Sequence, residues 1–252
     1  MDTPTSRILL LKVPLDIIPP EEFPKVIDRL LLTQKRSPLP PASCDIVLLS
    51  LWDLLKARRN REYRNYVLNA ALVIPISKSL VSGTRFVTGK KVYRYMPFHF
   101  VISLLSLLEP RELSLCLLGA KPQVLRVAER NIQTTFPGIK ILGRYSGGLR
   151  KQEEGAVIEA IRKAAPSLLL VGKGTRGSEH WIARNGNLLS PGFRLWCSDL
   201  FEVFAEKRQR PTDTAFEKGL EGISFILQNP FKIFRIIPYL WYKVLLIFYR
   251  IF

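Results

Sequence analysis

The chain of 252 residues predicts an α/β fold: a Rossmann-like, mainly parallel sheet with flanking helices and a C-terminal amphipathic helical appendage. Three features carry this expectation. Between Asp45 and Phe201, short apolar runs alternate with longer amphipathic ones, the rhythm of βαβ units. Glycines close several of the short runs, and after Asn229 basic and aromatic residues interleave. The length suits one well-buried core with an addition. The boundaries read as an N-terminal segment packing on the core (1–43), an α/β core (44–215) and a basic amphipathic appendage (216–252).

Strands are expected near Asp45–Leu51, Ala70–Pro75, Leu113–Gly119, Ile139–Gly143, Ser167–Gly172 and Phe193–Cys197. Between them, Pro122 opens a helix whose apolar residues Val124, Leu125, Val127, Ala128 and Ile132 follow helical spacing, and Pro137-Gly138 ends it. A second helix runs from Gln152 to Ala164 and stops at Ala165-Pro166. A third, Phe98 to Leu108, is so apolar that it should be buried. The prolines of residues 37–43 fix φ and remove donors, which makes that stretch a loop. No internal repeat or low-complexity tract interrupts the pattern.

A net charge of +17 implies an anionic partner. The basic residues are spread through the chain, with local clusters at Lys56–Arg59, Lys90-Lys91 and Lys207–Arg210. Nucleic acid, an anionic membrane surface and a phosphorylated substrate all fit charge alone, but no recognition helix, base-stacking signature or zinc knuckle supports nucleic acid. Cys44, Cys116 and Cys197 lie in or beside apolar runs without metal or disulfide spacing, and read as buried thiols in a reducing compartment. The N-terminus lacks the basic leader and cleavage site of a signal peptide, so the body of the protein is expected in the cytoplasm. Two histidines, His99 and His180, are too few for a His-based metal site, and no Asp-x-Asp metal–nucleotide motif is present. No metal or cofactor is therefore expected.

In open α/β sheets ligands bind beyond the carboxyl ends of the strands, where glycine turns let the backbone approach a phosphate. Gly119, Gly143, Gly147-Gly148, Gly172 and Gly174 fall at such ends. Each alone is as well explained by an ordinary turn. Gly172-x-Gly174 followed by Glu179 and Trp181 is more specific, although it is neither a dinucleotide fingerprint nor a P-loop.

This stretch resembles the WecG/TagA/CpsF family of bacterial glycosyltransferases, over roughly Asp45 to Arg235. The family pattern Gly-x-Gly-x-Pro-x-Gln-Glu-x-Trp-Ile is met by Gly172, Gly174, Glu179, Trp181 and Ile182, with Arg176 and Ser178 in place of the proline and glutamine. Later signposts appear as Phe201-Glu202-Val203, Arg210, Gly219-Leu220-Glu221-Gly222 and Asn229-Pro230-Phe231-Lys232-Ile233-Phe234-Arg235. The resemblance implies transfer of an N-acetylmannosamine-type sugar from a UDP-sugar donor to a polyprenyl-diphosphate-linked acceptor. It also implies a protein peripheral on the cytoplasmic face of the inner membrane.

The front half departs from the pattern. The family's Thr-Pro-Asn becomes Ser50-Leu51-Trp52, which keeps a hydroxyl. The Pro-Asp-Gly that carries the expected general base becomes Pro75-Ile76-Ser77, and Arg-Val-x-Gly-x-Asp becomes Arg85 to Lys91, without the acid. An inverting transfer needs a proton acceptor, and isoleucine is none. By motif position Asp53, Glu179 and Glu202 are the substitutes, although Asp53 equally suits the first turn of a helix. His180, about 100° round a helix from its neighbour Glu179, reads as a rim residue. The resemblance assigns catalysis to Ser50 and Glu202, and substrate binding to Arg85, Gly119, Gly147, Gly172, Gly174, Glu179, Arg210, Lys232 and Arg235. Loss of the acids also leaves open a relative that binds nucleotide or lipid-linked glycan without transfer.

On a helical projection Lys232, Arg235, Lys243 and Arg250 share an arc of about 80°, with aromatic and aliphatic residues elsewhere. Pro238 and the recurrent charges break any apolar run of spanning length, so the tail reads as lying at a lipid interface rather than crossing it. Packing of a terminal helix on its own domain is the alternative.

Overall fold

The computed structural model describes residues 5–36, 45–190, 192–219 and 236–251. The proline loop at 37–43, Cys44, Glu221, Gly222, Lys232 and Arg235 lie outside them. An antiparallel hairpin of β1 (Ser6–Leu10) and β2 (Val13–Ile17) precedes α1 (Phe23–Arg36). Then follow β3 (Asp45–Leu49), α2 (Leu51–Arg59), α3 (Arg61–Asn69), β4 (Leu72–Pro75), α4 (Lys78–Thr88) and α5 (Pro97–Leu108). The second half comprises β5 (Ser114–Leu118), α6 (Pro122–Thr135), β6 (Lys140–Tyr145), α7 (Lys151–Ala164), β7 (Leu168–Gly172), α8 (His180–Asn185), β8 (Phe193–Ser198), α9 (Leu200–Phe204) and α10 (Asp213–Lys218). A last helix, α11 (Ile236–Ile251), ends the described chain.

Strands β3 to β8 form one parallel six-stranded sheet in the order β4-β3-β8-β7-β5-β6. Their period-two alternation sorts side chains between two cores. Leu115, Leu117, Leu168 and Leu170 face one core with Phe100, Leu104, Leu125 and Phe201, whereas Cys116, Leu118, Leu169 and Val171 face the other with Leu54, Tyr63 and Trp181. Strands covered on both faces read as continuous apolar runs, which is why β3, β4, β5 and β7 were legible in the sequence, whereas the edge strand β6 has no fully buried residue.

The chain leaves β5 for α6 on the first face and leaves β7 for α8 on the second. The strand order therefore reverses its crossover direction between β5 and β7, and the crevice between their carboxyl ends is the topological switch point.

The hairpin covers the open edge of β4. Asp16 is buried, accepts from the Val73 amide at 2.6 Å and pairs with Arg7 at 2.8 Å, while Arg7 also donates to the carbonyl of Ala70. A side chain thus satisfies an edge amide that would otherwise recruit another strand.

Helix α11 is two-sided, and one side packs on the domain as the alternative reading of the tail had it. Tyr242, Leu245 and Leu246 are buried against the second core, and the Tyr242 hydroxyl donates to the Ser79 carbonyl at 2.8 Å. The ring sits over Gly83, where any Cβ would overlap the hydroxyl. The opposite side exposes Ile237, Leu240, Trp241, Val244, Ile247, Phe248 and Ile251. No helix among the described residues is long and apolar enough to cross a membrane.

Candidate functional site

The carboxyl rim of the sheet gathers three groups of residues. At its centre, the loops after β5, β6 and β7 are laced by their own backbones. The Gly119 amide donates to Tyr145 O at 2.9 Å, Gly147 N to Ala120 O at 2.7 Å, and Gly148 N to Gly174 O at 2.7 Å. A Cβ on Gly119, whose φ is +125°, would lie 2.7 Å from Gly172 O, and one on Gly147 would lie 2.8 Å from the carbonyl carbon of Gly174. Close crossing of backbones is thus what these positions require, as well as turning. Main chain thus crosses main chain at the switch point.

On the second face, α2 and α8 meet. Ser50 is the N-cap of α2: its Oγ accepts from Asp53 N at 3.3 Å, and Asp53 Oδ2 accepts from Ser50 N at 2.9 Å and from Ser50 Oγ at 2.5 Å. This capping box, with the Tyr63 hydroxyl donating to Asp53 Oδ1 at 3.3 Å, occupies both carboxylate oxygens. Desolvation lifts the Asp53 pKa above its ordinary 3.8 against the lowering by the Ser50 bonds, and the nearby Glu179 carboxylate adds to the rise. Glu179 itself pairs with Lys56. Desolvation pushes its pKa up, but the Lys56 hydrogen bond and charge prevail and hold it below the ordinary carboxylate range. His180 packs edge-on against Tyr63, and burial together with Lys56 depresses its pKa. Trp181 and Ile182, matched by motif, are core residues, and the indole donates to Glu154 at 2.9 Å.

Between β7 and β8, Lys173 and Arg208 both pair with Asp199. Glu202 stands in the first turn of α9, just beyond the carboxyl end of β8, and its Oε2 is buried without a hydrogen-bond partner among the described residues. A buried carboxylate oxygen left so is costly unless a ligand or water satisfies it.

The third group covers the end of β4 on the first face. Ile76 follows that strand directly, and among the described residues no carboxylate is recorded in place of the one the resemblance implies. Instead the Arg94 guanidinium donates to Ile76 O at 2.8 Å and to Phe216 O at 2.5 Å, with its centre 3.6 Å from the Phe216 ring centroid. Burial lowers the Arg94 pKa to about 10. Arg210 is exposed nearby, 3.1 Å from His99 Nε2 and stacked over Phe98. Arg85 lies two turns down α4, exposed.

The rim thus brings Ser50, Gly119, Gly147, Gly172, Gly174, Glu179 and Glu202 to one edge of the sheet, with Arg210 at its flank. Arg85 stands away from that edge, and Lys232 and Arg235 fall outside the described residues. Sequence reasoning missed Arg94 and the Lys173–Asp199–Arg208 ion pairs, for which no spacing gives a signal. It saw Lys56 only as part of a basic cluster. Cys116 and Cys197 are free and buried, and burial raises both thiol pKa values, that of Cys116 to about 11.

A parallel α/β sheet whose glycine loops cross at the switch point, with cations and carboxylates along the same rim, places the chain in the doubly wound α/β class. The chain belongs to the glycosyl transferase WecG/TagA/CpsF family, whose profile it matches over residues 8–252. It is also similar to the N-acetylglucosaminyldiphosphoundecaprenol N-acetyl-beta-D-mannosaminyltransferase of Bacillus subtilis (strain 168). The two are 23% identical over 176 residues, covering 70% of this chain and 68% of the relative.

Proposed function

We propose that the protein transfers an N-acetylhexosamine of the N-acetylmannosamine type from a UDP-sugar to a polyprenyl-diphosphate-linked sugar, a step in cell-envelope polysaccharide synthesis. The observation that carries this reading is the set of glycine loops that cross at the carboxyl ends of β5 and β7, in a chain of this family. The donor diphosphate lies over those loops. The acceptor hydroxyl oxygen attacks the anomeric carbon, the bond from that carbon to the UDP oxygen breaks, and UDP leaves with the electron pair and an added negative charge. The cationic rim offsets that charge.

The hydroxyl proton needs a base. The Asp53 oxygens are engaged in the cap and Glu179 is held by Lys56, whereas Glu202 retains a buried oxygen without a partner. Glu202 is therefore assigned the base role, with Ser50 holding the N-terminus of α2 at the rim. The protein works at the cytoplasmic face of the inner membrane, bound peripherally through the apolar side of α11, which is where its acceptor resides.

The test is UDP release from UDP-N-acetylmannosamine or UDP-N-acetylglucosamine with a polyprenyl-diphosphate-GlcNAc acceptor and anionic liposomes. Acceptor-dependent release is expected, and Glu202→Gln should lower kcat by at least about 100-fold while UDP affinity stays unchanged. Absence of UDP binding at millimolar concentration would refute the donor site. One observation favours a second reading, a relative that binds nucleotide without transfer: Arg94 caps the carbonyl of Ile76 where a carboxylate is expected. UDP binding without any release would select it.

A further inference from the structure

The last turn of α11 meets three cations from three other elements. Arg58, in the last turn of α2, donates from Nη1 to the Tyr249 hydroxyl at 3.3 Å and to the Leu11 carbonyl at 3.1 Å, and its guanidinium carbon lies 5.4 Å from the Tyr249 ring centroid. Arg64 of α3 satisfies the end of α2, donating to Ala57 O at 2.9 Å and to Arg58 O at 2.7 Å. Lys12 stands in the β1–β2 turn beside Leu11. We infer that Lys12, Arg58, Arg64 and the Tyr249 hydroxyl form a binding site for one phosphate group, and that filling it ties the end of α11 to the body of the protein. The cluster stands two helical turns down α2 from the carboxyl rim, so it is separate from the rim site and independent of the transferase reading.

Each member keeps a donor to spare. Both bonds of Arg58 start from Nη1, which leaves Nε and Nη2, and Arg64 uses Nε and Nη2, which leaves Nη1. The Tyr249 oxygen accepts from Arg58 and retains its own proton to donate. The charge is also unanswered: among the described residues no carboxylate pairs with Lys12, Arg58 or Arg64, and Glu62, two residues before Arg64, exerts its charge on His180 instead. The Arg58 hydrogen bond, with the charges of Arg58, Lys12 and Arg64, accordingly holds the Tyr249 pKa below its ordinary 10 against the desolvation that raises it. Three like charges around one oxygen repel until an anion lies among them. Lys12 is placed there at a cost, since its φ of 69° belongs to asparagine or glycine. Donors arriving from the hairpin, α2, α3 and α11 suit the tetrahedral oxygens of a phosphate, whereas a planar carboxylate is satisfied by one guanidinium fork. Two sources can present that group, a free phosphate ester and a phospholipid headgroup, since the exposed Ile247, Phe248 and Ile251 flank Tyr249 along α11. The groove of about 360 Å³ between α2 and the start of α11, lined by Trp52 and Pro238, lies roughly three turns back along α11 and holds none of the four residues.

Calorimetric titration of the full chain with glycerol 3-phosphate, beside flotation on phosphatidylcholine vesicles with and without phosphatidylglycerol, tests this in the parent and in Lys12→Asn, Arg64→Gln and Tyr249→Phe. If the source is a free ester, glycerol 3-phosphate affinity should fall about tenfold in Arg64→Gln and about fivefold in the other two, with vesicle binding unchanged. If it is a headgroup, the part of vesicle binding that depends on phosphatidylglycerol should fall by those factors, while binding to phosphatidylcholine alone stays as in the parent. Lys12→Asn suits the left-handed turn and should fold at least as stably as the parent, so its loss reports binding and not folding. Hydrogen exchange over the last turn of α11 should slow when the effective ligand saturates the parent. Binding of glycerol 3-phosphate and of phosphatidylglycerol that is absent in the parent, or the same in all three variants, overturns the site. Exchange that does not slow at saturation overturns the tie to α11.

Discussion

Single atoms decide how the rim behaves, and Asp53 shows it. Its folded pKa lies above the ordinary 3.8. The folded state therefore holds this proton more tightly than the unfolded chain. The associated stability is full below the unfolded value and is lost as pH rises through the folded one. Asparagine has no such titration, so the unfolding free energy of Asp53→Asn relative to the parent should move in the variant's favour from about pH 3 to pH 7, as followed by urea denaturation. A flat difference would mean that the cap compensates the carboxylate fully. Ser50→Ala, which removes the cap acceptor, should cost about 1 kcal/mol, and more as pH rises, because it also removes the hydroxyl that donates to the Asp53 carboxylate. The glycines are ordered in the same way by what their missing Cβ would meet. Gly119→Ala combines φ of +125° with a 2.7 Å approach to Gly172 O and should cost about 2–4 kcal/mol. Gly148→Ala, at φ of +76° with open space around it, should cost about 1 kcal/mol. Equal losses in denaturation would show that φ alone, and not backbone crossing, selects glycine in these loops.

At the scale of elements, what was legible followed from burial. Strands β3, β4, β5 and β7 and the helices around Pro122, Gln152 and Phe98 were readable because a parallel strand buried on both faces leaves an unbroken apolar run, and its helices carry a 3.6-residue stripe, whereas β8 and the edge strand β6 were placed from shorter, interrupted runs. The β1–β2 hairpin was not. Its two-residue turn is Leu11-Lys12, with φ of 50° and 69°, a left-handed pair that usually announces itself as Asn-Gly or Asp-Gly. Here burial of Leu11 and tertiary packing impose it. The site divides likewise: glycines at strand ends could be placed from sequence, except Gly143, which lies inside β6, but their crossing partners, the Lys56–Glu179 pair between α2 and α8, and Arg94 over Ile76 are long-range contacts without local periodicity. The docking of α11 on α4 is equally non-local, and it has one keyhole. Gly83→Val should drive Tyr242 out of its seat, so that hydrogen exchange across residues 236–251 rises to that of a detached helix while the strands stay protected. Tyr242→Ala should act in the same direction, opening the contact by about 3 kcal/mol or more. Unchanged protection in both would show that the contact at Gly83 does not hold the helix.

For the molecule as a whole, the tension lies in α11, which is apolar on the side that docks and on the side that does not. Seven large apolar side chains in a row toward water form a patch that monomeric proteins seldom leave uncovered. Lys243 and Arg250 stand at one border of that strip, Lys243 over Tyr239 and Arg250 over Phe86. Apolar residues toward the acyl boundary and cations toward headgroups is the arrangement of an interfacial helix, and the net charge of +17 adds attraction to an anionic leaflet. Such a surface would bring the groove beside Trp52 close to the lipid, because that groove opens where α11 begins. Trp241→Glu combined with Val244→Glu should therefore lower partitioning onto phosphatidylglycerol vesicles by at least about tenfold while the urea midpoint stays put, since neither side chain is buried in the domain. Raising salt should weaken the parent's binding only in part, because screening reaches the cations and not the apolar strip. If the double variant binds vesicles as the parent does, the strip has another use. A concentration-dependent dimer that the same variant abolishes would then assign it to a second copy of the chain.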